Sequence, residues 1–194
     1  YGTPWQEQTT ILGEVTGRQA EAEQAVAAVQ EQIDQIRADH PEWEGLTAAV
    51  AFNFEGAPGV YNSEDPRSRL LVDLGFTIPE VYDERAGDAF FFETSAELVP
   101  EDLDVDLIVW VAGSEDMYQE AVVEDIPTRS ALRAFQEGRE IFASTVLTGA
   151  FSHSSPLSLQ FALDELVPEI ELAVDGDPST VVPSAAEFGS VVGS

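Results

Sequence analysis

Residues 106–111 read Asp-Leu-Ile-Val-Trp-Val (DLIVWV), an apolar, β-branched run that ends at Gly113 and is too short for a core helix. A run of this kind marks a strand buried on both faces. The chain on either side repeats the pattern. Upstream, Thr47 to Phe54 (TAAVAFNF) reads as a first strand. Asp65 then offers an N-cap, Pro66 takes the first helical position, and a helix from Arg67 to Leu74 closes at Gly75. Phe90 to Phe92 form a short strand and Ser95 caps a turn of helix. Downstream, a helix is expected near Glu115 to Val123, and a helical piece runs from Ile126-Pro127 through Phe135. Gly138 turns the chain into a strand at Glu140 to Ser144 (EIFAS), and Ser155-Pro156 opens a last helix that reaches about Leu166 before Pro168. Short apolar runs alternating with capped helices predict an α/β lobe with a mostly parallel sheet.

Before Leu46 the period changes. Thr16 to Asp39 reads as one long helix, with Val26, Val29, Ile33 and Ile36 on one face and Glu and Gln on the others. Thr16 and Gln19 have capping-box spacing, His40 ends the helix and Pro41 stops it. Such a helix is about 36 Å long at 1.5 Å per residue. It either connects and braces larger parts or packs as an ordinary amphipathic helix. Beyond Val174 the composition shifts to Asp, Gly, Pro, Ser and Ala, so residues 174–194 are expected to be a flexible, peripheral tail.

The chain has 194 residues, 37 acidic against 8 basic, and a formal charge of −29. All the basic residues are arginines. The summed field repels nucleic acid and anionic membrane surfaces, while a local basic site stays compatible with it. Apolar residues make up 44%, which suits a folded chain rather than an acidic disordered one. Without cysteine there is no disulfide framework, thiolate zinc site or cysteine nucleophile. No apolar run is long enough to span a bilayer as a helix.

Motifs for catalysis are missing. There is no G-x-S-x-G, no G-x-G-x-x-G after a strand, no phosphate loop and no H-E-x-x-H, and the absence of lysine excludes Schiff-base chemistry. Ser152, His153 and Ser154 are adjacent in FSHSSP and read as a capping segment rather than a catalytic set. Carboxylate pairs such as Asp104 with Asp106 are expected by chance in so acidic a chain.

The scarce arginines carry more information. Arg67 and Arg69 fall in the first turn of a helix, where free N–H groups and the helix dipole already favour an anion. Two guanidinium groups there can bind carboxylate, catecholate or hydroxamate oxygens, or they can pair with Glu64 and Asp65; the residues leave both open. Phe52, Phe91 and Trp110 read as core. Phe54, Tyr61, Phe90 and Phe151 are placed to wall a pocket at the carboxyl ends of the strands, where open α/β sheets bind ligands.

The opening PWQEQTTILGEVTGRQAEAEQAV, followed by DPRSRLLVDLGFTIPE, ETSAELVPEDLDVDLIVWV and FSHSSPLSLQFALDELVP, resembles the periplasmic iron(III)-siderophore-binding proteins of bacterial ABC transporters, especially actinobacterial lipoproteins. The resemblance runs to about Ala173. It implies a three-layer α/β lobe preceded by one long connecting helix, the helical-backbone type of solute-binding protein. Aligned by these motifs, residues 1–15 are the end of an amino-terminal lobe, 16–40 the interlobe helix, 46–173 the carboxy-terminal lobe and 174–194 the tail. The resemblance further implies a non-enzymatic protein that captures a ferric siderophore in the interlobe cleft and delivers it to a permease. Iron is then held by the siderophore, and neither an intrinsic cofactor nor protein metal ligands are required.

Relatives that bind catecholates carry an arginine where this chain has DPRSR, so Arg67 and then Arg69 are the implied ligand contacts, with Phe54, Tyr61, Phe90, Phe151 and His153 around them. A second arginine that those relatives place after the buried strand is replaced here by Ala112 and Gly113, which points to a neutral or cationic ferric hydroxamate. Asp73 is the implied permease-docking residue. Location outside the cytoplasm, a lipid anchor on the longer protein and a monomeric state complete the expectation. The alternatives are the same architecture carrying haem or cobalamin, with His153 or Tyr61 as axial ligand to haem, an α/β enzyme of other chemistry, and an acidic interaction domain.

Overall fold

The computed structural model describes residues 2–112 and 119–187, with side chains described outside 119–121. Trp5–Thr16 form α1 and Gln19–Asp39 form α2. The expected long helix therefore begins at Gln19 and not at Thr16. The Thr16 hydroxyl donates to the carbonyl of Leu12 at 2.7 Å, and Gly17 turns the chain at φ 71°. A threonine that back-bonds within its own helix cannot cap the next one. Residues 1–15, read as the end of a preceding lobe, thus hold most of a helix packed on α2. The contact requires Gly13, where a Cβ would lie 2.5 Å from that of Ala22. At 21 residues α2 spans roughly 31 Å. It ends where His40 stacks on buried Trp43 at 4.0 Å.

The lobe follows. β1 (Ala48–Phe54) turns through Glu55 and Gly56, at φ 51° and 81°, into β2 (Ala57–Tyr61). Two positive φ values in a two-residue loop match the twist of a hairpin. Then come α3 (Pro66–Asp73), α4 (Glu80–Ala86), β3 (Phe91–Glu93), α5 (Val99–Asp102) and β4 (Leu107–Val111). The expected helix near Glu115 to Val123 lies partly outside the described residues, which resume in a helical turn at Gln119–Glu124. The expected helical piece before Gly138 is a 3-10 turn, Pro127–Ala131, followed by α6 (Arg133–Gln136). β5 (Glu140–Ala143), α7 (Thr145–His153), α8 (Pro156–Ala173) and α9 (Pro183–Glu187) complete the described elements.

The strands form one sheet in the order β3-β2-β1-β4-β5. β1, β4 and β5 run parallel, while β1–β2 and β2–β3 pair antiparallel, so the sheet is mixed. β4 is buried along its whole length, as the DLIVWV run requires. At its start Asp106 accepts hydrogen bonds from the backbone N–H and hydroxyl of Thr47, both at 2.8 Å, and joins the entry of β4 to that of β1. At the start of β5, Glu140 takes the Trp110 indole N–H at 2.7 Å and a two-point contact from Arg129, all buried.

Two further expectations are corrected. α8 does not stop before Pro168 but continues through it to Ala173, because Ile170 and Ala173 are buried in the core. Of the tail expected over 174–194, residues 188–194 lie outside the described residues, and residues 174–187 are not loose. Val182 and Ala185 are buried, and the Ser184 hydroxyl receives the Phe142 N–H on the free edge of β5 at 3.1 Å while donating to Glu169 at 2.7 Å. The segment covers an edge that would otherwise offer unpaired backbone groups.

Candidate functional site

Gly59 and Phe52 face each other across the β1–β2 ladder. A Cβ on Gly59 would fall 2.2 Å from the Phe52 ring, so the glycine lets that ring lie flat over β2. Tyr61 and Phe91 extend the platform, with ring centroids 5.1 and 5.3 Å from Phe52. Phe54, 59% exposed, stands at the hairpin tip. Phe52, Phe54 and Tyr61 border a concavity of about 260 Å³ at the carboxyl ends of β1 and β4, closed by Arg67, Val111 and Thr148. This is the position at which open α/β sheets bind ligands.

Arg67 reaches it from the first turn of α3. Asp65 caps that helix by accepting the Arg67 backbone N–H at 3.0 Å. The same carboxylate receives the Arg67 side chain at two points, Nε to Oδ1 at 2.7 Å and a terminal nitrogen to Oδ2 at 2.8 Å. The guanidinium lies 3.7 Å over the Tyr61 ring and approaches the Ser152 hydroxyl at 3.4 Å. Asp65 is wholly buried and Arg67 only 8% exposed. The two readings of Arg67, pocket residue and partner of a carboxylate, hold together.

The other expected site residues separate. Arg69 turns to the amino-terminal segment and donates to the Gly2 carbonyl at 2.6 Å, outside the concavity. Phe90 lies beside Gly2, whose Cβ position is 3.5 Å from its ring. Phe151 has no exposed surface; it faces inward from α7, a helix that the reading of FSHSSP as a capping segment did not include, and it belongs to the core rather than a pocket wall. His153, at the exposed end of α7, borders a second groove of about 500 Å³ with Ile11, Leu12, Val15 and Pro156. Asp73 is half-buried; burial pushes its carboxyl up, against the pull of the Trp5 indole and of Arg37 and Arg69.

Three contributors escaped the sequence reading. Phe52 and Phe91 were assigned to the core, yet Phe91 is exposed and Phe92 is the buried member of that run. Asp65 was visible as a cap, but its second bond to a side chain two residues on has no sequence signature. Capping in FSHSSP falls to Ser154, which ends α7 in the left-handed region, and to Ser155, which forms a capping box on α8 with Ser158, while Ser152 lies inside α7 and donates to the Thr148 carbonyl. Among the described residues no group of three or more His, Asp or Glu is placed to hold a metal ion. No described helix is long and apolar enough to cross a membrane.

A family model described as periplasmic binding protein matches residues 2–144. The chain belongs to that family. It is a family of non-catalytic solute-binding proteins, which sets aside the enzyme reading, and its members work outside the cytoplasm. Solved structures share the fold of this periplasmic binding protein. A periplasmic solute-binding protein from Mycobacterium smegmatis is 25% identical, with TM-score 0.71 over 87% of this chain and 56% of that one. Streptococcus pneumoniae PiaA in complex with ferrichrome is 24% identical, with TM-score 0.73 over 91% and 60%. Staphylococcus aureus FhuD2 with bound ferrioxamine B is 16% identical, with TM-score 0.72 over 88% and 66%. The chain therefore spans little more than half the length of the first of these. No curated protein matches the sequence significantly.

Proposed function

We propose that this chain is the interlobe helix and carboxy-terminal lobe of the solute-binding component of an ABC importer, and that it forms one wall of a cleft for a ferric siderophore. The observation that carries the reading is the concavity at the ends of β1 and β4, an aromatic platform with a single arginine held over Tyr61. Apolar rings suit the organic body of a chelate, and a fixed guanidinium suits its iron-coordinating oxygens. The family and the siderophores bound by two of the structural relatives support the same reading. Arg67, Phe54 and Tyr61 face the ligand. Arg69, Phe90 and His153 lie beside the amino-terminal segment, outside this concavity. Lipid anchorage, a monomeric state and docking on a permease belong to the same proposal. Asp73 is a weaker docking residue than an exposed carboxylate would be, because it is half-buried among Trp5, Arg37 and Arg69.

The test is quenching of intrinsic fluorescence in the two-lobed protein by ferric siderophores, iron-free siderophores and haem. Saturable quenching by a ferric siderophore, weakened about tenfold or more by Phe54→Ala, is expected for an exposed aromatic anchor. No response to any ferric chelate would overturn the proposal.

A further inference from the structure

The charge of the concavity differs from what its arginine alone would give. Among the described residues that border it, Arg67 is the one that carries a full charge. That charge is met inside the protein by Asp65, through two short bonds to a carboxylate with no exposed surface. Buried pairs of this kind are little screened by solvent or salt. A ligand entering the concavity thus meets aromatic faces and a guanidinium edge whose positive field is cancelled from behind. Around it the protein bears a net charge of −29, which adds to the repulsion of anions.

Ferric chelates differ sharply in charge. Three hydroxamates cancel the charge of iron(III) and give a neutral complex, or a cationic one when the scaffold bears an ammonium. Three catecholates leave three negative charges. Accepting that complex calls for uncompensated cations at the ligand face, since unmatched charge in a desolvated site is costly. We propose that Asp65, by cancelling Arg67 within the concavity, is a specificity-determining residue that makes this site take neutral and cationic ferric chelates and reject anionic ones. The inference rests on the siderophore reading above and adds the chemical class of the ligand to it.

Asp65→Asn tests this cleanly, because asparagine caps a helix as well as aspartate does while removing the charge. The two-lobed protein is titrated with ferrichrome as the neutral ferric trihydroxamate, ferrioxamine B as the one bearing an ammonium, and a ferric tris-catecholate. In the unmodified protein the tris-catecholate is expected to bind at least about tenfold more weakly than either hydroxamate. In Asp65→Asn it gains, and ferrioxamine B loses, about tenfold each, the scale of one unmatched charge at a partly buried site. Should Asp65→Asn fold poorly, the double variant Asp65→Asn with Arg67→Gln buries no lone charge and is expected to keep the original order. Tight tris-catecholate binding by the unmodified protein, or an order that Asp65→Asn leaves in place, overturns the charge inference and leaves the siderophore function standing. Failure of all three chelates to bind overturns the siderophore reading itself, and the inference with it.

Discussion

Asp106 shows how one carboxylate can hold two strands in register. It lies at the entry of β4, where burial alone would raise its pKa. The backbone N–H and hydroxyl of Thr47 oppose that, as do Arg133 and Arg139, and the net effect holds it below its ordinary value of 3.8. A carboxylate depressed in the folded state contributes stability that is fully present above the unfolded pKa and is lost as pH falls through the folded one. The loss attributable to Asp106 therefore begins near pH 4 and deepens below it. Asp106→Asn is expected to cost about 1–2 kcal/mol at neutral pH, the scale of two weakened hydrogen bonds. It should also flatten the stability profile below pH 4. Urea unfolding of both proteins from pH 3 to 7 checks this; an unchanged acid limb in the variant would contradict the assignment.

Among the elements, α8 departs furthest from local rules, because Pro168 lies inside it and is exposed. Proline removes a helical hydrogen bond and crowds the preceding turn, at a cost of about 3 kcal/mol in a free helix. The helix persists because Leu163, Leu166, Ile170 and Ala173 line one buried face on both sides of the proline. Pro168→Ala returns the N–H to the helix and touches nothing in the core. It is expected to stabilise by about 1–2 kcal/mol after the entropy gained by the unfolded chain is subtracted. A thermal melt reads this as a rise of a few degrees, and a fall in melting temperature would show that the proline is needed for the path of α8.

The same comparison explains which parts of the fold and site were legible. β1, β4 and β5 were readable because each is a mostly apolar run, and α3 because Asp65-Pro66 is a strong local start signal. β2 was not, since Ala-Pro-Gly-Val-Tyr has the composition of a turn. Its place in the sheet depends on the Phe52 ring lying over Gly59, a cross-strand fit rather than a local preference. α7 was missed because Gly149 and two threonines lower its helix propensity, while Leu147 and Phe151 gain burial that only the folded lobe supplies. At the site, Arg67 was legible from its position in a helix start. The compensation of its charge was not, because that depends on a bidentate contact with Asp65 two residues away.

For the whole molecule the excess of acidic residues sets a direction. With 37 carboxylates against 8 guanidinium groups, the folded state holds like charges closer together than the unfolded chain does. Added salt screens this repulsion, and it also screens the exposed ion pair between Arg37 and Glu44. The buried pairs Arg67–Asp65 and Arg129–Glu140 are affected far less, because little solvent reaches them. Exposed pairs contribute about 0–1 kcal/mol each, so their weakening is small beside relief of a repulsion shared over the whole surface. The melting temperature should therefore rise between about 0.02 and 0.5 M sodium chloride, a range over which the Debye length falls severalfold. Most of the rise should come at the low end, where screening changes fastest. A rise confined to molar concentrations would instead indicate preferential exclusion of salt from the surface. A flat or falling profile would mean that the carboxylates are already neutralised by arrangements more favourable than their number suggests. Asp65→Asn gives an internal control, because it removes a charge whose partner is buried and should leave the slope of the salt dependence nearly unchanged.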